Sequence, residues 1–186
     1  MRVYLIRHGR PASTWGGDDL DPGLDEVGHA QARAVADALL AMSERPRRVI
    51  SSPLRRCRET AEPLAQALGM EVEIDPAVGE IPTPASVPHE ERAAWLQKAF
   101  TGRWSEIDGD LDYDTWRAEV AQALAGYAGC AVFSHFVAIN AAVSLATGDD
   151  RVAAFRPDHC SITALEVRDG GLILIEKGRE AATKVL

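Results

Sequence analysis

Short apolar segments that alternate with helical segments are the feature of this chain that most restricts its fold. Residues 3–6, 49–50 and 131–133 are predicted to form buried strands, because each is a brief run of aliphatic or aromatic side chains that stops at a polar residue. Helices are predicted at about 25–42, 51–68 and 137–146, one after each strand. Such connections bring successive strands into one sheet in the same direction, with helices over its faces.

The rest of the chain adds to this sheet. Residues 71–75 alternate charged and apolar side chains, as a strand near a sheet edge does, and helices are predicted at 89–100 and 113–127. Residues 161–167 and 172–175, on either side of a turn at 169–171, are predicted to form a hairpin. The predicted fold is an α/β class, three-layer α/β/α sandwich with a mostly parallel sheet and a C-terminal antiparallel hairpin. A length of 186 residues predicts a single domain over residues 1–186.

The charge balance restricts the ligands. Acidic residues outnumber basic ones by 28 to 20, which gives a net charge of −8. A chain of this kind lacks the positive field over its whole surface that non-specific nucleic-acid binding needs, so we expect no nucleic-acid partner. An anionic ligand would have to be held by arginines that are concentrated at one place.

The cysteines and the N-terminal residues predict the compartment. Cys57, Cys130 and Cys160 are far apart, odd in number and without metal-binding spacing, so we expect reduced core thiols and no metal site. The first residues reach a second charge after four apolar side chains, too soon for the apolar region of a signal peptide, and no apolar run approaches membrane-spanning length. The sequence therefore predicts a cytoplasmic protein without a membrane partner.

Polar side chains follow three of the predicted strands. In open α/β sheets ligands bind beyond the carboxyl ends of the strands, so these side chains are candidates for one shared site. They are Arg7, His8 and Arg10 after the first strand, Ser51, Ser52, Arg55, Arg56 and Arg58 after the second, and Ser134 and His135 after the fourth.

Arginines and histidines in one crevice suit a phosphate group. Guanidinium donors match phosphoryl oxygens and stay charged at every working pH. Because nearby arginines disfavour a further positive charge, His8 is predicted to be a neutral imidazole that can attack phosphorus. The sequence thus predicts covalent catalysis that needs no metal and no cofactor.

These motifs resemble those of the histidine phosphatase superfamily, which is also called phosphoglycerate mutase-like. The similarity covers nearly the whole chain except about 81–115, and it is closest to the phosphatase branch. The motifs that carry it are Arg7-His8-Gly9, residues 51–61, Leu24 with Gly28 and Gln31-Ala32, Ser134-His135, and residues 160–163.

The resemblance implies a role for each matching residue. His8 would be the nucleophile that accepts the phosphoryl group, and Arg7 and Arg56 would bind its oxygens with His135 beside them. Glu80 would protonate the leaving group and then activate water. Glu90 is the alternative proton donor, because the family's usual residues after the acid are missing here.

The departures from the family pattern concern substrate binding. Phe136 stands where a glycine is common, and Ser13 and Thr14 stand where the mutases carry a phosphate-contacting asparagine. The segment 81–115 is predicted to be a substrate-lid insert. The candidate substrate-binding residues are Arg7, Ser13, Thr14, Arg56, His135 and Phe136.

The sequence therefore predicts a phosphomonoesterase of the histidine acid phosphatase type that hydrolyses a small phosphorylated metabolite through phospho-His8. Two alternatives stay open: a phosphoglycerate mutase-type phosphoryl transfer, and a non-catalytic phosphate-binding domain. His159 is either a core residue or part of the pocket rim, and the protein is expected to be a monomer or a homodimer.

Overall fold

The computed structural model describes residues 1–13 and 19–182. Its sheet has the strand order β3-β2-β4-β1-β5-β6. The first four strands in that order are parallel, β5 is antiparallel to β1, and β6 is antiparallel to β5. The mostly parallel sheet with a C-terminal antiparallel hairpin is therefore confirmed. The strands are β1 Arg2–Arg7, β2 Val49–Ser51, β3 Val72–Ile74, β4 Ala131–Ser134, β5 Ile162–Arg168 and β6 Gly171–Glu176.

Helices cover both faces of the sheet, as the sandwich prediction requires. Because successive side chains of a strand point to opposite faces, Val3 and Leu5 of β1 join one core cluster while Tyr4 and Ile6 join the other. The first cluster includes residues of α3, α4 and α5, and the second includes residues of α1 and α2. The helices are α1 Glu26–Leu40, α2 Arg55–Leu68, α3 Arg92–Phe100, α4 Tyr113–Ala125 and α5 Phe136–Thr147. None of these described helices is long and apolar enough to cross a membrane.

Most helix ends follow the sequence signals, but α3 begins at Arg92 instead of residue 89, because His89–Glu91 form a 3₁₀ turn, and the start of α2 also differs. Asp25 caps α1, because its carboxylate accepts a hydrogen bond from the Gly28 backbone at 2.7 Å. Gly69 ends α2 with a φ of 65°, in the left-handed region that glycine adopts without strain. The predicted start of α2 at 51–53 is wrong. Ser51 belongs to β2, and the Ser52 amide donates to Phe133 O at 3.0 Å, which ties Ser52 to the neighbouring strand, so that the helix begins only at Arg55.

The segment 81–115 is folded against the main body of the protein. It contains α3 and two short 3₁₀ turns, His89–Glu91 and Trp104–Glu106. Leu96 and Trp104 are buried in the cluster shared with α5, and the Phe100 ring lies 4.9 Å from the ring of Phe136. The contact with Phe136 joins this segment to the strand ends at which polar residues gather.

Candidate active site

The carboxyl ends of β1, β2 and β4 meet at one edge of the sheet. Arg7 is in register with Ser134 across the parallel pair β1 and β4. The His8 amide donates to Ser134 O at 3.0 Å, so the residue after β1 is fixed against the end of β4. His135, the residue after β4, is the N-cap of α5. The rings of His8 and His135 are consequently only 5.4 Å apart.

The buried ring of His8 has a defined tautomer. Its Nδ1 lies 2.8 Å from Gly9 O, and a carbonyl oxygen can only accept, so Nδ1 carries the proton. Burial, followed by the charges of Arg56, His135 and Arg7, holds the pKa of His8 well below its usual value. The ring is therefore neutral near pH 7 and keeps its lone pair on Nε2, as a nucleophile needs.

Two close backbone approaches hold the loop after His8. A Cβ on Gly9 would lie 2.8 Å from Gly28 O, and a Cβ on Gly28 would clash with Arg10 O, so both positions require glycine. The Gly9 amide also donates to Thr60 Oγ1 at 2.9 Å, and Thr60 Oγ1 donates to Arg56 O at 2.6 Å. These contacts connect the loop to α1 and to the first turn of α2.

Arg7 and Arg56 are both 7% exposed and border the two histidines. Arg7 Nη1 donates to Pro157 O at 2.9 Å, while its Nε is buried without a hydrogen-bond partner among the described residues. Burial lowers the pKa of Arg7 to about 10, so the group stays charged near neutral pH. Arg56 Nη2 lies 3.2 Å from His135 Nδ1 and 3.7 Å from Glu80 Oε2. The edge of the sheet thus concentrates positive charge in an acidic protein.

Glu80 and His135 form a buried pair beside these arginines. Glu80 Oε2 lies 3.3 Å from His135 Nδ1, and His135 Nε2 lies 2.8 Å from Ser52 Oγ. Burial opposes ionisation of Glu80, but His135 and Arg56 outweigh it and lower the pKa of the carboxyl to about 2. Burial also lowers the pKa of His135, although Glu80 acts against that shift. Glu80 is therefore ionised at neutral pH in the unliganded site.

The remaining predicted residues lie around this centre in different ways. Phe136 is buried, and the Arg7 guanidinium lies 5.5 Å from its ring centroid, so its side chain forms a wall next to that arginine. Ser13 is half-buried, and its Oγ has no hydrogen-bond partner in the described part of the chain. Thr14 lies outside the described residues. Glu90, the alternative proton donor, is exposed in the 3₁₀ turn before α3.

Two further residues border the site. The His159 ring lies 5.7 Å from the ring of His8, so the structure places it at the pocket, one of the two positions that the sequence left open. Arg92, at the start of α3, is half-buried. Burial lowers the pKa of its guanidinium; the charge of Glu80 raises this pKa, and the charge of Arg56 lowers it further. Sequence reasoning missed Arg92, because it lies in the segment where the family motifs stop.

The comparison with protein families decides the classification. The model of the histidine phosphatase superfamily (branch 1) matches residues 3–178. The chain belongs to this superfamily. The match includes every motif that carried the sequence resemblance, so the resemblance is confirmed.

Several curated proteins are similar to this chain. "Probable phosphoglycerate mutase GpmB" of Photorhabdus laumondii is 37% identical over 86 residues, which are 44% of this chain and 38% of that protein. The protein of the same name from Cronobacter sakazakii is 26% identical over 189 residues, covering 89% of this chain and 85% of its own length. The "Transcription factor tau 55 kDa subunit" of Saccharomyces cerevisiae is 33% identical over 96 residues, 46% of this chain and 22% of that protein. The chain thus spans well under two thirds of several of these relatives.

Several solved structures of phosphatases share the fold. Phosphoserine phosphatase from Entamoeba histolytica in complex with 3-phosphoglyceric acid has a TM-score of 0.74 at 21% identity, covering 97% of this chain and 98% of that one. The mycobacterial glucosyl-3-phosphoglycerate phosphatase with VO3 has a TM-score of 0.71 at 21% identity, with coverages of 97% and 99%. The alpha-ribazole phosphatase from Shigella flexneri has a TM-score of 0.70 at 19% identity, with coverages of 94% and 95%. At these identities the likeness establishes the three-layer fold.

Proposed function

We propose that the protein is a metal-independent phosphomonoesterase that works through phosphorylated His8. The observation that supports this most strongly is the fixed tautomer of His8, with Nε2 unprotonated in a pocket bordered by Arg7 and Arg56. The two guanidinium groups supply the positive charge that a phosphoryl group needs in its transition state. No cofactor is required for this chemistry.

In the first half-reaction, His8 Nε2 attacks phosphorus and the bond to the leaving oxygen breaks. That oxygen needs a proton, for which Glu80 is the buried carboxyl beside the arginines. A bound phosphomonoester brings negative charge next to Glu80, which raises the pKa of the carboxyl. Glu80 then takes a proton from solvent or from the substrate monoanion and passes it to the leaving alkoxide.

In the second half-reaction, the ionised Glu80 accepts a proton from water as the water attacks the phosphohistidine. The nitrogen–phosphorus bond breaks, inorganic phosphate leaves, and His8 returns to its neutral state. Glu80 thus serves as acid and then as base, and Arg7 and Arg56 hold the phosphoryl oxygens throughout.

The proposed substrate is a small phosphorylated metabolite. Three of the similar structures carry the names of phosphoserine, glucosyl-3-phosphoglycerate and alpha-ribazole phosphatases, which supports this class. The segment 81–115 is proposed to act as the lid that selects the leaving group, because Phe100 packs against Phe136 and the charge of Glu80 acts on the guanidinium of Arg92.

Replacement of His8 tests the proposal. His8→Ala should abolish hydrolysis of an aryl phosphate, and the wild-type protein should show an acid-labile phosphohistidine at His8 by mass spectrometry under alkaline quench. His29→Ala is the matched control, because the exposed ring of His29 on α1 lies 3.9 Å from Glu59 Oε2, a residue that is not part of the candidate site. Hydrolysis should also persist in EDTA. Unchanged turnover by His8→Ala would overturn the mechanism, and phosphate binding without any label would indicate a binding domain.

A mutase is the second candidate, because two curated relatives carry the name of phosphoglycerate mutase. A mutase must return the phosphoryl group to its bound product, whereas a phosphatase transfers it to water. Incubation with 3-phosphoglycerate, with and without a bisphosphate primer, separates the two. Release of inorganic phosphate without the primer supports the hydrolase, and primer-dependent isomerisation supports the mutase.

A further inference from the structure

His159 lies on the side of His8 that is opposite to His135. It precedes β5, which neighbours β1 on one side, whereas His135 follows β4, which neighbours β1 on the other. The ring centroids of His135 and His159 lie 5.4 Å and 5.7 Å from that of His8. The proposed nucleophile His8 therefore lies between two imidazoles, one just after β4 and the other just before β5.

The backbone around His159 is fixed to β1. The next residue, Cys160, has a φ of 53°, a strained conformation for a side chain with a Cβ. The Cys160 amide donates to Arg7 O at 2.9 Å, and the Ser161 amide donates to Asp158 O at 3.1 Å. Strain of this kind persists only where the surroundings enforce it, and here it turns the chain so that His159 reaches the pocket.

The ring nitrogens of His159 are uncommitted. Neither has a hydrogen-bond partner among residues 1–13 and 19–182, although the backbone amide donates to Asp158 Oδ1 at 2.8 Å. Asp158 is engaged by Arg179, whose Nη2 lies 3.0 Å from Oδ2. Burial, followed by the charge of Arg7, lowers the pKa of His159 to about 4. Near neutral pH the ring is a neutral imidazole with one donor and one acceptor for a ligand.

We propose that His159 is an additional substrate-contacting residue, which donates a hydrogen bond to a phosphoryl oxygen of the group bound at His8. Its ring lies beside that of His8, and the residue after it is hydrogen-bonded to the backbone of Arg7. On the proposed function, on which this inference rests, His8 and Arg7 contact the phosphoryl group itself. The contact is therefore the same for every leaving group. A neutral donor adds a hydrogen bond to the anion without adding charge to the pocket.

The test measures phosphate binding separately from turnover. The dissociation constant of inorganic phosphate, measured by calorimetry, should rise about 10- to 100-fold in His159→Ala, the loss expected for one hydrogen bond to a charged group. His159→Asn keeps an amide donor and should recover part of that loss. His29→Ala should bind phosphate like the wild type. The KM values of aryl phosphates with different leaving groups should change by the same factor as phosphate binding.

Phosphate binding that is unchanged in both His159 variants would overturn the inference. So would a KM that changes for one leaving group only, because the contact would then belong to the leaving group. Circular dichroism and the melting temperature show whether each variant is folded, and His159→Asn keeps the test valid if the alanine variant unfolds. If the wild type binds phosphate but hydrolyses no phosphomonoester, the proposed function fails while the contact of His159 with phosphate is still measured.

Discussion

Replacement of Glu80 by glutamine separates the two roles proposed for this carboxylate. Glutamine keeps the shape and the amide dipole but cannot donate an acidic proton or accept one from water. Positioned general acids and bases contribute about 10²- to 10⁴-fold, which corresponds to about 3–5 kcal/mol of barrier. We expect kcat for an alkyl phosphate to fall by about that factor.

The affinity for phosphate should increase in Glu80→Gln, although kcat decreases. Glu80 Oε2 lies 3.7 Å from Arg56 Nη2, and at an effective dielectric constant of about 20 two charges at this separation attract by about 4.5 kcal/mol. Without the carboxylate, this attraction becomes available to the phosphate. Glu80→Gln should therefore bind inorganic phosphate more tightly than the wild type while it turns over more slowly.

A substrate whose leaving group needs no proton separates the acid role of Glu80 from its base role. A nitrophenolate leaves without protonation, so the first step survives in Glu80→Gln, but the phosphohistidine then lacks a base to activate water. Rapid mixing with nitrophenyl phosphate should show a burst of nitrophenol equal to the enzyme concentration, followed by slow turnover. The exposed Glu90 supplies the control, since Glu90→Gln should behave like the wild type. A full rate in Glu80→Gln, or a loss in Glu90→Gln, would refute the assignment.

Three other predictions concern the framework of the site. Gly28→Ala should lower the melting temperature sharply and reduce activity, because its Cβ would clash with Arg10 O. Thr60→Val should cost about 1–3 kcal/mol in urea unfolding, since the Gly9 amide would lose its buried acceptor. The unfolding free energy should fall as the pH drops below about 6.5, where the unfolded chain protonates His8 and the folded chain does not. It should fall further between the ordinary pKa of Glu80, 4.5, and its folded value of about 2, and a pH-independent unfolding free energy would contradict both shifts.

The parts of the fold that depend on local pattern were predictable from the sequence. The strand and helix alternation predicted the sheet and its layers, because burial on two faces leaves a clear apolar pattern in each strand. The start of α2 was not predictable in this way. Ser51 and Ser52 look like a helix start, but the amide of Ser52 is taken by Phe133 in the neighbouring strand. That hydrogen bond joins residues far apart in sequence and leaves no local signal.

The residues of the candidate site likewise fall into those that the sequence predicted and those that it did not. The motifs around His8, Arg56 and His135 lie at strand ends, so the sheet brings them together as expected. His159 and Arg92 reach the pocket through a strained turn and through the packing of α3, respectively. Neither position has a periodicity or a spacing that points to phosphate. The sequence left His159 between a core and a pocket-rim position and gave no signal at Arg92, so both needed the tertiary contacts around His8.

The charge of the pocket explains how a protein with a net charge of −8 would hold a phosphate dianion. Arg7 and Arg56 are buried next to Glu80, and burial together with the charges of the two arginines keeps His8 from protonation. Two guanidinium groups beside one carboxylate leave a positive excess in a place that water screens poorly. His8 must stay neutral in the proposed mechanism, because a protonated His8 would hold the anion but lose the lone pair that attacks it. Burial would thus strengthen the attraction for phosphate and keep the proposed nucleophile His8 reactive by the same physical effect.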